Sequence, residues 1–175
     1  MSLIVVEGCD GSGKSTLLEN ARIEIPKRYF LQVRHSCRPL SPVHIRDFLT
    51  MVEPAGEYLN IMIDRHPLIS EPIYANILRG GNDLTLQYPD WLTFEDRAKH
   101  LARTVNRVIY CRPSFEAIRR NVSVNPQLAG VVDKLPFLVE AYDRTMRDLL
   151  KDVPVIHFDY QFQDRTLEEL FFGKI

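Results

Sequence analysis

Hydrophobic and polar positions alternate along the 175-residue chain in two repeating styles. Five short runs at 3–7, 29–34, 58–64, 108–111 and 153–158 are dense in Val, Ile, Leu and aromatic residues and predict buried strands. Between them, helical patterns occupy 14–25, 43–51, 69–78, 94–104, 115–122 and 136–150. Strands alternating with helices in this order predict an α/β fold, a five-stranded parallel sheet flanked by helices, with ligands at the carboxyl ends of the strands. The polar, proline-containing stretch 82–90 reads as a loop. No repeat, linker or low-complexity tract divides the chain, so 1–175 reads as one domain long enough to bury a core.

Composition changes this picture little. Net charge is −1, from 22 basic and 23 acidic residues, so the global balance does not demand nucleic acid or an anionic membrane. The basic set is unusual in kind, since sixteen of the 22 are arginine, whose planar fork suits phosphate. Three cysteines, Cys9, Cys37 and Cys111, form no C-x-x-C pair, which fits a reducing compartment. The apolar run at 3–6 lacks a basic leader and is too short for a signal segment or membrane span, so a cytoplasmic protein is expected. His35, His44, His66, His100 and His157 lack metal-ligand spacing. Any metal is therefore expected to be Mg²⁺ arriving with a nucleotide.

The chemistry concentrates after the first strand. Residues 8–16 read G-C-D-G-S-G-K-S-T, a complete G-x-x-x-x-G-K-[ST] phosphate loop between a predicted strand and a predicted helix. Glycine at Gly8, Gly11 and Gly13 lets the chain wrap closely around phosphate oxygens, with Asp10, Ser12 and Thr16 in the same wrap. Amides and the helix N-terminus then face the anion, Lys14 reaches the β and γ phosphates, and the Ser15 hydroxyl is placed to ligate Mg²⁺. After the third strand comes D-R-H-P-L-I-S-E-P-I-Y, residues 64–74. Asp64, at a strand's carboxyl end, is placed to organise Mg²⁺ or the attacking group. Arg65 either clamps a phosphate or pairs with Asp64, and Tyr74 either lines an acceptor pocket or belongs to the core.

Together, E-G-C-D-G-S-G-K-S-T and D-R-H-P-L-I-S-E-P-I-Y resemble the thymidylate kinase family of nucleoside monophosphate kinases. The resemblance implies a three-layer P-loop kinase fold, Mg-ATP as donor and a deoxynucleoside monophosphate, dTMP or a related pyrimidine nucleotide, as acceptor. It also implies that Asp10 approaches the acceptor's sugar 3′-hydroxyl, and that Arg38, with Arg34 as the other candidate, binds its phosphate. Some members carry a catalytic arginine in the loop where this chain has Gly11. Relatives without it use a mobile lid, which here falls at about 119–134 and makes Arg119 or Arg120 the candidate for stabilising the transferred phosphoryl group. Members are commonly dimers, so a homodimer is an expectation by analogy. The adenine is expected between the lid helix and the loop at 157–164.

The interval 43–57 is shorter than the family's base-recognition helix and is bracketed by Pro42 and Pro54. Phe48 and Arg46 there are either base contacts or a core aromatic and a surface charge. A clipped acceptor side also admits an alternative, a kinase acting on a hydroxyl of a modified base within DNA, with Arg34, Arg38, Arg46 and Arg79 tracking the backbone. A nucleotide-dependent switch is disfavoured, because the chain has no N/T-K-x-D tetrapeptide and no D-x-x-G after the third strand.

Overall fold

The computed structural model describes residues 2–25, 31–34, 48–80, 93–125, 129–162 and 164–173. The expected strands and helices appear in the expected order, joined by two elements that were not expected, a single turn at Glu53–Ala55 and a helix at Leu167–Phe172. In chain order the elements are β1 (Leu3–Glu7), α1 (Lys14–Glu24), β2 (Leu31–Arg34), a π-helical turn (Phe48–Val52) leading into the single turn α2 (Glu53–Ala55), β3 (Ile61–Asp64), α3 (Pro67–Leu78), α4 (Phe94–Thr104), β4 (Arg107–Cys111), α5 (Phe115–Val124), α6 (Val131–Asp148), β5 (Val155–Phe158) and α7 (Leu167–Phe172). The five strands form one sheet in the order β2-β3-β1-β4-β5, and every neighbouring pair is parallel. Chain connectivity builds to one side of β1 and then crosses to the other. The carboxyl end of β1 therefore lies at the crevice where open α/β sheets bind ligands.

Alternation along the strands divides the core. Leu3 and Val5 join Ile61, Ile63 and Val108 in the cluster that includes residues of α3, α4 and α6. Ile4, Val6, Met62 and Ile109 belong to the opposite cluster with α1 and α7. Each fully buried aliphatic side chain contributes about 1.5–3 kcal/mol. An exposed pair such as Arg22–Glu19 is screened by water and salt, so the two apolar layers, not surface ion pairs, hold the fold.

Several boundaries differ from expectation for local reasons. Residues 58–60 precede β3 instead of joining it, because the Tyr58 and Leu59 amides donate to the Ala55 carbonyl and complete the turn after α2. Helix α3 starts at Pro67: proline needs no donor at the first helical position, and His66 Nδ1 accepts from the Leu68 amide as the cap. Helix α6 starts at Val131, upstream of Pro136. Its buried stripe of Val131, Leu135, Leu138, Val139 and Tyr142 continues through the proline, while Val132, whose carbonyl Pro136 leaves without a helical donor, lies on the exposed side. Residues 119–124 of the expected lid form the end of α5, and 131–134 begin α6. The expected helix at 43–51 is described only from Phe48, as a π-helical turn, and the loop at 82–90 lies outside the described residues. Among the described residues no helix is long and apolar enough to cross a membrane.

Candidate active site

The phosphate loop leaves β1 at the centre of the sheet and enters α1 through Gly13. That residue caps the helix at φ 90°, with no side-chain cap on the first amides. Those N–H groups remain directed at the crevice, as an anion site requires. Lys14 is buried, and its Nζ donates to the Cys9 carbonyl at 2.8 Å, which places the ammonium inside the loop. Ser15 and Thr16 are exposed at the start of the helix.

Two glycines are dictated by packing as well as by backbone angle. A Cβ on Gly11, at φ 76°, would stand 2.6 Å from Val122 Cγ2 and 2.9 Å from the Ile118 carbonyl oxygen. One on Gly13 would stand 2.9 Å from the Tyr160 ring. Helix α5 thus fills the space from which an in-loop arginine would extend.

Asp10 lies opposite the turn after β3. Arg65 Nη2 donates to Asp10 Oδ1 at 2.7 Å and lies 3.0 Å from the Tyr74 hydroxyl, which donates to Asp10 Oδ2 at 3.0 Å. The Arg65 guanidinium carbon also sits 5.0 Å from the centre of the Tyr74 ring. Burial works to raise the Asp10 carboxyl, but Arg65, Lys14 and the Tyr74 hydroxyl outweigh it and hold it below the usual carboxylate range. Arg65, expected to clamp a phosphate or to pair with Asp64, forms an ion pair with Asp10, a partner not expected from the sequence. The Tyr74 ring is fully buried, as its core reading expects, and its hydroxyl reaches the Asp10 carboxylate.

Behind this trio stands a layer that the sequence did not reveal. Glu7, the buried last residue of β1, accepts the His66 amide at 2.6 Å and so ties the Asp64-Arg65-His66 turn to the base of the loop. Desolvation pushes its carboxyl up to about 7. The His66 ring meets Glu53 Oε1 at 2.8 Å, and His100 meets Glu53 Oε2 at 2.5 Å, linking α2, the β3–α3 turn and α4. Phe48 is core, edge-on to the His66 ring at 5.1 Å. The readable signal for Glu7 was a charge at a strand position whose neighbours are all buried. Glu53, His66 and His100 left no signal, being far apart in sequence.

On the other side of the loop, a cavity of about 500 Å³ opens between α1, α5 and the turn after β5. Gly13, Thr16, Leu17, Arg120, Asn121 and Tyr160 are in its wall. Arg120 lines this cavity, whereas Arg119 is exposed on the same helix outside that lining. Arg112 is engaged elsewhere, in a two-point pair with Asp143 at 2.9 and 3.1 Å. Arg38 and Arg46 lie outside the described residues, and Arg34 is the last residue of β2, in register with Asp64. Asp64 is half-buried at the end of β3, in register with Val6 just before the loop. Ser15, exposed at the start of α1, and Asp64, at the end of the strand beside β1, would together offer a hard oxygen donor set. Such a set fits Mg²⁺ arriving with phosphates and water, not a metal held by a protein cage.

No family model matches the chain, and no curated protein matches it. Solved structures do. The chain is similar to deoxyadenosine kinase from M. mycoides with bound dATP, at 19% identity over 97% of this chain and 96% of that one, with a TM-score of 0.57. The same kinase with bound dCTP gives 21% identity, 96% and 95% coverage and a TM-score of 0.58. The YorR protein from Bacillus subtilis, in complex with phosphorylated GDP, gives 17% identity, 97% and 91% coverage and a TM-score of 0.63. At these identities the likeness concerns the fold, and the chain has the three-layer α/β fold of P-loop kinases.

Proposed function

We propose that the protein is a phosphotransferase that moves the γ-phosphoryl of ATP onto a nucleotide acceptor, a deoxynucleoside monophosphate. The observation that carries this reading is the position of the phosphate loop between two prepared sites. The cavity bounded by Tyr160, roomy enough for a base and its sugar, lies on one side, and the Asp10–Arg65–Tyr74 cluster lies on the other. In this reading the loop amides and Lys14 hold the donor phosphates, and Arg120 on α5 approaches the transferred group with Arg119 beside it. Ser15 and Asp64 would hold Mg²⁺, which when bound neutralises charge on the phosphates. Asp10, although engaged by Arg65 and Tyr74, keeps lone pairs for an acceptor sugar hydroxyl. Arg65 and Arg38 would hold the acceptor's phosphate.

The nature of the nucleophile separates two acceptor classes. A sugar hydroxyl needs a general base, and a carboxylate held at low pKa is a poor one. Asp10 is in that condition, and Glu7 is turned away from the crevice onto the His66 amide. A phosphate nucleophile needs no base, only cations to align it in line. The sequence from 34 to 47 supplies three arginines, Arg34, Arg38 and Arg46, against a single carboxylate, Asp47. These features favour a monophosphate, and the family resemblance favours a pyrimidine such as dTMP. The second reading, a deoxynucleoside acceptor, draws on the neighbouring structures described as deoxyadenosine kinase.

The test is transfer of label from γ-labelled ATP across the deoxynucleosides, the nucleoside monophosphates and DNA carrying hydroxymethylated bases. Label is expected in a deoxynucleoside monophosphate, and label in nucleosides or DNA alone would replace this reading. Lys14→Ala is expected to lower transfer at least a hundredfold while leaving thermal unfolding within a few degrees. Full activity in that variant would remove the donor site from the loop.

A further inference from the structure

Two of the loop glycines have dedicated packing partners, and one side chain joins those partners. Val122 and the Ile118 carbonyl of α5 stand beside Gly11, and the Tyr160 ring stands beside Gly13. Asn121 donates its Nδ2 amide to the Gly11 carbonyl at 2.8 Å and to the Tyr160 hydroxyl at 2.9 Å. A carboxamide nitrogen carries two hydrogens, so both are used. The turn bearing Tyr160 is fastened to α5 a second time at its N-cap. There the Ser114 hydroxyl donates to Gln161 Oε1 at 2.9 Å and the Ser114 amide donates to the same oxygen at 3.3 Å. The Gln161 amide in turn donates to Asp159 Oδ1 at 2.9 Å, which closes the turn. The turn after β5, helix α5 and the tip of the phosphate loop therefore form one bonded unit, and the cavity opens directly onto it through Tyr160, Asn121 and Arg120.

We propose that Asn121 is a positioning residue through which occupancy of the base cavity sets the placement of α5, and with it Arg120, over the phosphate loop. The inference rests on the donor-site reading above. A base seated in the cavity bears on the Tyr160 ring. Because the Tyr160 hydroxyl and the Gly11 carbonyl share the two hydrogens of one amide, a displacement of Tyr160 is passed to α5 and to the Gly11 peptide together. Arg120 precedes Asn121 on the same helical turn and moves with it. Triphosphate alone, gripped by the loop, bears on α5 only at Gly11 and puts no load on Tyr160. Removing the amide keeps the cavity, the loop and the Ser114–Gln161 tie but breaks the two hydrogen bonds that join Tyr160, α5 and the Gly11 peptide at one point.

The variants are Asn121→Ala and Tyr160→Phe, the latter keeping the ring against Gly13 while losing the hydroxyl. ATP affinity is measured by titration calorimetry, amide hydrogen exchange is followed with and without Mg-ATP, and kcat and KM are determined with the acceptor found in the screen. Both variants are expected to keep the ATP Kd within threefold and the ATP-induced protection of residues 8–16, to lose the ATP-induced protection of α5, and to lose tenfold or more in kcat. A merely structural tie would lower thermal stability and weaken ATP binding with kcat preserved. That result, or α5 protection unchanged in both variants, overturns the proposal. If the wild type binds ATP but phosphorylates no acceptor, the transfer reading fails while the exchange comparison still decides the role of Asn121. No ATP binding by the wild type overturns both.

Discussion

Arg65 holds a positive φ of 67°, the only non-glycine among the described residues to do so. A left-handed conformation costs a side-chain-bearing residue about 1–2 kcal/mol. Its backbone amide donates to the Val6 carbonyl at 3.0 Å, its guanidinium meets Asp10 and Tyr74, and Glu7 holds the next amide. These contacts over-determine the turn, as strained positions at functional sites require. Asp10→Ala leaves the buried Arg65 cation without its carboxylate and is expected to cost about 3–5 kcal/mol in urea unfolding. A loss under 1 kcal/mol would mean that the pair contributes nothing beyond a surface bridge. The sequence showed Arg65 next to Asp64 and gave no sign of its ion pair with Asp10. Its actual partner stands in the loop after β1, because β1 and β3 are sheet neighbours whose carboxyl ends coincide.

At the scale of elements, the periodicities were legible and the links between elements were not. Five strands and most helices stand where alternation and helical spacing put them. Capping boxes at Thr93–Asp96 and Thr166–Glu169 mark the starts of α4 and α7 through a side chain three residues from its partner, a relation visible in any sequence. The Glu53 junction has no such signature, since it joins residues 13 and 47 positions apart. His66 is fully buried there, so Glu53→Leu strands a buried ring nitrogen and is expected to cost about 2–4 kcal/mol. His100 is partly exposed and water replaces its bond, so His100→Ala is expected to cost about 1 kcal/mol or less. Equal effects of the two changes in denaturant unfolding would show that Glu53 serves only to fill space.

For the whole molecule, buried carboxyls make stability depend on pH in two opposed ways. Glu7 titrates near 7 in the fold because desolvation disfavours its charge. A group raised in the folded state adds stability below its unfolded value, near 4.5, and that addition is lost as pH rises to about 7. Asp10, Glu53 and Asp143 are opposed by burial but held low by their cationic and hydrogen-bonding partners, so their contribution is present above the ordinary carboxylate range and lost in acid. Glu7→Gln keeps an acceptor for the His66 amide and removes the first effect. Relative to wild type, its unfolding free energy is expected to gain about 3 kcal/mol between pH 4.5 and 7.5. A difference that stays constant with pH would place the Glu7 carboxyl in solvent.

The sequence by itself determined the strand-helix order, the phosphate loop and the local start signals of helices, because each depends on residues within a few positions of one another. Tertiary structure alone decided that Arg65 answers to Asp10, that Glu7 and Glu53 anchor the wall behind them, that Arg120 lines the cavity while Arg119 does not, and that Asn121 bridges Gly11 to Tyr160. Those relations arise where a parallel sheet and the helices around it bring together segments 13 to 110 positions apart. No periodicity along a chain records which ends will meet.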